Sequence, residues 1–300
     1  MQLHDAMTPV DIQKVVAQFQ RHLEKQQKNP NTVRSYSNDL QQFLKWYVNT
    51  NGDQVEPRDV TRGDVIDFRG FLLTRKSSLA SVNRRITSLR QYFEFALHNG
   101  LAKANPVQSL IGLPSEPQIP SVLPRKDALL LVRNAEQSSR PMETAILLLL
   151  LHAGLRSGEI CALTIGDLHL TPRVGRLFIR GQRRKTVRFA LLSTRTQIAM
   201  RQYLKRRGAN VLARKRRAEP LFLHRDGEPL TQQAVDALVK RIGREAGVPN
   251  VTPMMLRNTY AVQMLIQGES HDAVKRALGV TSIKNHLRLV EKIRAEQFPF

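Results

Sequence analysis

The chain has 300 residues, 41% of them hydrophobic, which is enough to bury a sizeable core and, at about 150 residues per domain, to form about two domains. Lysine and arginine number 47 against 25 acids, a formal charge of +22. An excess of this size sets up a positive field that gathers polyanions, and nucleic acid outranks an anionic membrane surface because no basic helix carries a Trp/Phe face. The one cysteine, Cys161, excludes an internal disulfide framework, fits a reducing compartment and sits among apolar neighbours. The opening Met1-Gln2-Leu3-His4-Asp5 has no basic segment leading into an apolar one, so no signal peptide is expected. Ala145 to Leu151, the most apolar stretch, falls short of the roughly 18 residues of a membrane span and reads as a helix buried on all sides.

Ile12, Val15, Val16, Phe19 and Leu23 recur at helical spacing until Asn29-Pro30-Asn31 breaks the stripe and offers Asn31 as the next cap. A second helix turns Val33, Tyr36, Leu40, Phe43, Leu44 and Tyr47 inward. Thr61 caps a third with Val65, Phe68 and Leu72 on one side, and Val82, Ile86, Leu89, Phe93 and Leu97 define a fourth. Four short amphipathic helices make one bundle.

Between Gly100 and Pro124 the texture changes, with Pro106, Pro114, Pro117 and Pro120 close together. Proline removes backbone donors and resists helix, so an extended linker is expected. Helices resume around Ala128 to Val132 and Glu143 to His152. Arg176 to Ile179 and Thr186 to Leu191 read as two strands joined through a basic tip, and further helices fall at Gln197 to Arg206, Gln232 to Glu245, Leu256 to Gln267 and His271 to Ala277. No internal repeat is visible, and no His/Cys/Asp/Glu spacing marks a metal site.

Ala153-Gly154-Leu155-Arg156-Ser157-Gly158-Glu159-Ile160-Cys161-Ala162-Leu163 resembles the first catalytic box of the tyrosine recombinases, the family of phage integrases and Xer proteins. Thr252 to Ala261 is similar to the second box, Leu278-Gly279 to the start of the third, and Asn31 to Tyr36 followed by Leu40 and Phe43 to the family's core-binding domain. The match runs in order from about Ile12 to Val290. It implies a mainly α protein: an N-terminal helical, SAM-like core-binding domain (8–104), a Pro-rich linker (105–124), a mostly helical catalytic-type domain with a small sheet (125–290) and a tail (291–300), forming a C-shaped clamp on duplex DNA. It implies no cofactor, because the family uses a tyrosine nucleophile with two arginines, a hairpin lysine and a histidine/tryptophan set around the scissile phosphate. Guanidinium forks suit that work, since they bind phosphate oxygens bidentately and stabilise the charge of the transition state.

Carried over residue by residue, Arg156 and Arg257 match the two arginines. The remaining positions are degenerate: Met254 stands for the histidine of the second box, Val280 for the His/Trp of the third and Leu289 for the tyrosine. In the hairpin Gln182 takes the usual lysine position, with Lys185 three residues on as a substitute phosphate contact. All five tyrosines lie upstream of Leu289, and a leucine cannot attack phosphorus. His286, His271 and Tyr260 are weighed and disfavoured as relocated nucleophiles, and Glu159 and Asp167 are read as structural partners of arginines rather than as acids. In the first domain the resemblance places the second and fourth helices against the major groove, giving Arg34, Lys45, Asn83, Arg84, Arg85 and Arg90 as candidate DNA contacts, with Lys76 and Lys103 on flanking phosphates and Arg180, Arg183 and Arg184 at the hairpin.

The reading is a catalytically inactive, sequence-specific binder of double-stranded DNA, serving replication, regulation or DNA architecture on mobile DNA in a prokaryotic cytoplasm, associated with the nucleoid. The alternatives are a non-catalytic subunit of a recombination complex, with the tail docking on a second copy or a related recombinase, and an active recombinase whose nucleophile has moved.

Overall fold

The computed structural model describes residues 11–52, 56–114, 119–181, 187–208 and 217–297. It divides into two compact units, residues 1–116 and 117–300.

The first unit is built from α1 (Ile12–Lys25), α2 (Pro30–Asn51), α3 (Arg62–Thr74) and α4 (Leu79–His98). Each start is capped by a side chain: Asp11 accepts from the Gln13 and Lys14 amides, Thr61 forms a reciprocal capping box with Asp64, and Ser78 accepts from Ser81. The cap of α2 is Asn29 rather than Asn31, because Pro30 has no amide to leave unsatisfied and its fixed φ suits the first helical position, so the helix begins before Asn31. At 22 residues α2 is also longer than the short helix the sequence indicates. Phe19, Leu40, Phe43, Phe68, Val82, Leu89 and Phe93 fill the core, with Phe43 and Phe68 edge to face at 5.2 Å. Leu97 is exposed and Ala96 is buried in its place, since a 3.6-residue period continues from Phe93 to either. Beyond α4, Val107 and Leu110 are buried in the same core, so the proline-rich segment begins as part of the first unit.

The second unit contains α5 (Arg125–Gln137), α6 (Pro141–Ala153), α7 (Ser157–Ala162), the strands β1 (Leu168–Leu170), β2 (Gly175–Arg180) and β3 (Val187–Leu192), then α8 (Thr194–Arg207), α9 (Gln232–Glu245), α10 (Pro253–Ile266), α11 (His271–Leu278) and α12 (Lys284–Gln297). Ala145 to Leu151 of α6 are all buried, as a helix apolar on every side must be. The sheet is antiparallel in the order β1-β2-β3, and β1 goes unseen in the sequence because three residues carry too little alternation. The six residues of α7 fall below two turns. α12 runs through position 290, and its Leu289 and Val290 close an apolar cluster with Ala261, Val262, Leu265, Leu278 and Ile283. No helix among the described residues is long and apolar enough to cross a membrane.

α6 ends in Gly154, at φ +61°. That left-handed turn brings the chain from the buried helix to Arg156, and a Cβ on Gly154 would lie 2.4 Å from the Tyr260 ring. Gly154→Ala should therefore lower stability by roughly 2–4 kcal/mol through left-handed strain and overpacking. Urea unfolding monitored by circular dichroism reads this as a lower midpoint, and an unchanged midpoint would mean that the ring gives way freely.

Candidate nucleic-acid interface

The carboxylate of Glu159, in the first turn of α7, gathers three guanidinium groups. Its Oε1 accepts from Arg156 Nη1 at 3.0 Å, while Oε2 accepts from the Arg156 amide at 2.8 Å and from Arg188 Nη2 at 2.8 Å. Arg257 Nη1 lies 3.6 Å from the same Oε2. Three different elements deliver these arginines: the turn after α6, strand β3 and helix α10.

Helix C-termini complete the cage. Arg257 donates to the carbonyls of Gly154 and, at 2.6 Å from Nη2, Leu278, while Arg188 Nη1 donates to Ala277 at 2.5 Å. These carbonyls end α6 and α11, where the backbone dipoles leave partial negative charge, so guanidinium groups are well placed there. One carboxylate and three carbonyls still leave the cluster with surplus positive charge. Burial, followed by the charge of Arg156, pushes Arg257 down to about 10, so it stays cationic at neutral pH. Burial lowers Arg188 in the same way against the opposing pull of Glu159.

The arginines differ in reach. The Arg156 side chain is 38% exposed, against 5% for Arg257 and 13% for Arg188. Arg156 is therefore the group an incoming anion would touch, and the other two raise the potential behind it. Sequence reasoning found Arg156, Arg257 and the pairing with Glu159 but missed Arg188. The signal was present: Arg188 falls on the inward-facing set of β3 with Ala190 and Leu192, where a charge must be paired to be buried.

Of the positions that the resemblance marks as degenerate, Met254, Val280 and Leu289 fall among the described residues. Met254 is exposed, Val280 is half-buried, and Leu289 is 8% exposed inside the apolar cluster of α10, α11 and α12. His286 has its Nε2 at 3.1 Å from Asn258 Oδ1, and burial next to Arg257 lowers its affinity for a proton. The Tyr260 ring packs under Gly154, and burial raises the pKa of its phenol. Arg180 donates from Nε and Nη2 to the buried Asp167, as the sequence reading of that acid requires. Gln182, Arg183, Arg184 and Lys185 lie outside the described residues. Cys161 packs against the second core, and burial takes its thiol up to about 11.

In the first unit Arg34, Lys45, Lys76 and Lys103 are exposed. Arg84 pairs with the buried Asp39, which also accepts from Ser88 at 2.6 Å, and Arg85 donates to Gln42 at 2.8 Å. Asn83 and Arg90 have internal partners that the sequence reading did not foresee. The Asn83 amide donates to the Leu113 carbonyl at 2.8 Å and accepts from the Leu113 amide at 2.7 Å, and Arg90 Nη2 donates to the Leu110 carbonyl at 2.8 Å. Both side chains hold residues 107–113 onto α4, so either would have to release a backbone group to reach a base.

The phage integrase family profile matches residues 121–288, and the profile of its N-terminal SAM-like domain matches residues 16–100. The chain belongs to the phage integrase family, the tyrosine recombinases. It is 30% identical over 257 residues to the tyrosine recombinase XerD of Listeria innocua, covering 84% of this chain and 85% of that one. It is also 30% identical over 299 residues to XerC of a Roseiflexus species, covering 94% and 92%. The fold matches a crystal structure of XerH site-specific recombinase bound to palindromic difH substrate, a post-cleavage complex, at a TM-score of 0.75 and 17% identity over 98% of this chain and 97% of that one. It matches the Tn1549 transposon integrase in complex with circular intermediate DNA at 0.67 and 19%, over 95% and 99%.

Glu159→Gln should lower stability by about 3–5 kcal/mol, since it leaves buried guanidinium charge without its counter-charge. Sulfate should restore part of the loss by binding the vacated cluster, so thermal unfolding with and without sulfate checks the assignment. Equal sulfate stabilisation of variant and parent would mean that the anion binds elsewhere.

Proposed function

We propose that this chain binds double-stranded DNA sequence-specifically and holds a backbone phosphate at the arginine cluster without cutting the strand. The observation that carries this reading is the convergence of Arg156, Arg188 and Arg257 on the single carboxylate of Glu159, a cationic site that opens outward through Arg156. A phosphate diester suits it, with Arg156 supplying the charge-assisted hydrogen bond and Arg257 and Arg188 the field behind it. The excess of lysine and arginine along the chain supplies the remaining, sequence-independent part of the affinity. The relatives caught on DNA, XerH on its palindromic substrate and the Tn1549 integrase on circular intermediate DNA, favour a duplex as partner.

The inactive half of the reading rests on side-chain chemistry. Met254, Val280 and Leu289 can neither move a proton nor attack phosphorus, and Leu289 points into an apolar cluster. Tyr260 is wedged under Gly154, and His286 is engaged with Asn258. Its place is in replication, regulation or architecture of mobile DNA, in the cytoplasm of a prokaryote. Arg34, Lys45, Lys76, Arg84, Arg85 and Lys103 are proposed contacts of the first unit, and Lys185 with Arg183 and Arg184 proposed contacts of the hairpin. A second reading, a non-catalytic subunit beside a complete recombinase, is favoured by the identity to XerD and XerC over most of the chain.

Binding to sequences selected from genomic fragments tests the first half. Arg156→Ala should weaken the selected complex and lower its logarithmic salt slope by about 1, while Arg257→Ala should cost more stability than affinity. An unchanged slope for Arg156→Ala would remove this residue from the interface. A nicked suicide substrate tests the second half: no covalent protein–DNA adduct should form, and one adduct mapped by mass spectrometry would make the chain a strand-transferase.

A further inference from the structure

The outer face of the small sheet has no role in the site above, and its composition is unusual. Val187, Phe189 and Leu191 recur on alternate positions of β3 and are 63%, 62% and 62% exposed. The register sets Phe178 of β2 opposite Phe189, Arg180 opposite Val187 and Arg176 opposite Leu191. His169 of β1 pairs with Arg176, and its ring meets Phe178 edge-on at 5.2 Å. Directly paired residues share a face. The face therefore reads Arg-Phe-Arg along the middle strand, with Val, Phe and Leu on one flank and an exposed His on the other.

An exposed apolar patch of this kind marks a contact surface, and the chemistry of its border indicates what covers it. A purely apolar occupant would leave the guanidinium group of Arg176 with nothing to meet, whereas Arg180 already pairs with Asp167 and keeps only part of its side chain in solvent. A purely ionic one would leave Phe178 and Phe189 in water. A chain of unpaired nucleotides supplies both kinds of group: flat bases that stack on phenylalanine and phosphates that meet arginine, with sugars against Val187 and Leu191. Arg176 and Arg180 are four residues apart, about 13 Å along the strand, with Phe178 midway. Arg176 thus supplies a free charge on one side of a stacking platform, and the solvent-exposed part of Arg180, held by Asp167, borders the other.

We propose that this face binds single-stranded nucleic acid through Phe178 and Phe189, independently of the duplex site at Arg156. The proposal goes beyond the function argued above and does not need it. Because the two rings stand out from the sheet, truncating them spares the core.

The test uses the full chain and a fluorescently labelled oligo(dT) of about 16 nucleotides, with anisotropy measured at roughly 0.3 M salt, where non-specific ionic binding is weak. Phe178→Ala with Phe189→Ala should weaken binding at least tenfold, while Phe189→Tyr, which keeps a stacking ring, should bind within about twofold of the parent. Arg156→Ala should lower oligo(dT) affinity by less than the double phenylalanine variant does. Undiminished affinity in the double variant, or equal loss in the alanine and tyrosine variants, overturns the proposal. So does a parent that self-associates in sedimentation and loses that association, but not oligo(dT) affinity, in the double variant, because the face would then hold a second copy. A chain that binds oligo(dT) through these rings yet selects no duplex would sink the proposed function and leave this one standing.

Discussion

The second unit depends on one carboxylate. Glu159 stands at the first turn of a six-residue helix too short to hold its place by itself, and the arginines it binds belong to β3, α10 and the turn after α6. Those elements have no sequence proximity, so the shared anion works as a joint between them. Burying charge without a partner costs several kcal/mol per group, and three cations could not come together in a part-buried space without it. The joint is also under-compensated by design of its parts, because one carboxylate and the carbonyls at two helix ends face three full positive charges. A structure arranged only for stability would have matched them or replaced them by apolar side chains, which pack as well with less desolvation. Surplus cationic charge at a partly open position is what an external anion would relieve.

The same contacts explain why two arginines that look equivalent in the sequence are not equivalent in space. Arg257 gives both of its Nη groups to the carbonyls of Gly154 and Leu278 and is nearly inaccessible, whereas Arg156 keeps part of its guanidinium in solvent. A fork whose donors are held by backbone is rigid and contributes through field rather than contact. An arginine with one edge free can exchange water for a phosphate oxygen. The division of work follows from helix geometry, since Arg257 lies where the ends of α6 and α11 approach α10.

Much of this was legible in the amino-acid order. The four helices of the first unit followed from apolar spacing, and α6 from its uninterrupted run of leucines, because burial on one face or on all faces writes itself directly into the pattern. Arg156, Arg257 and Glu159 were legible through the boxes that contain them. Less visible were features fixed by contacts distant in sequence. Asn83 and Arg90 look like groove-facing groups on a basic helix, yet a segment 17 to 30 residues later supplies the carbonyls and amide that occupy them. Arg188 was not singled out in the sequence, and it is the strand register that turns it inward. Helix α12 was masked by its polar composition, although Leu289 and Val290 anchor it.

Leu289 shows what an apolar side chain contributes to packing at this position. A phenol at a position that joins Ala261, Leu265 and Ile283 would need its hydroxyl to reach an open site or a hydrogen-bond partner, whereas leucine needs neither. Burying that side chain is worth about 1.5–3 kcal/mol, and it seats α12 on α10 and α11 without a polar group to satisfy. Met254 goes the other way, standing exposed one helical turn before Arg257, where an apolar side chain gains little from folding. One of these apolar side chains is thus absorbed into the core and the other sits at the surface. Between them the cationic joint keeps its geometry, because none of its hydrogen bonds passes through either residue. The cationic cluster and the side chains at positions 254 and 289 are separable parts of this fold.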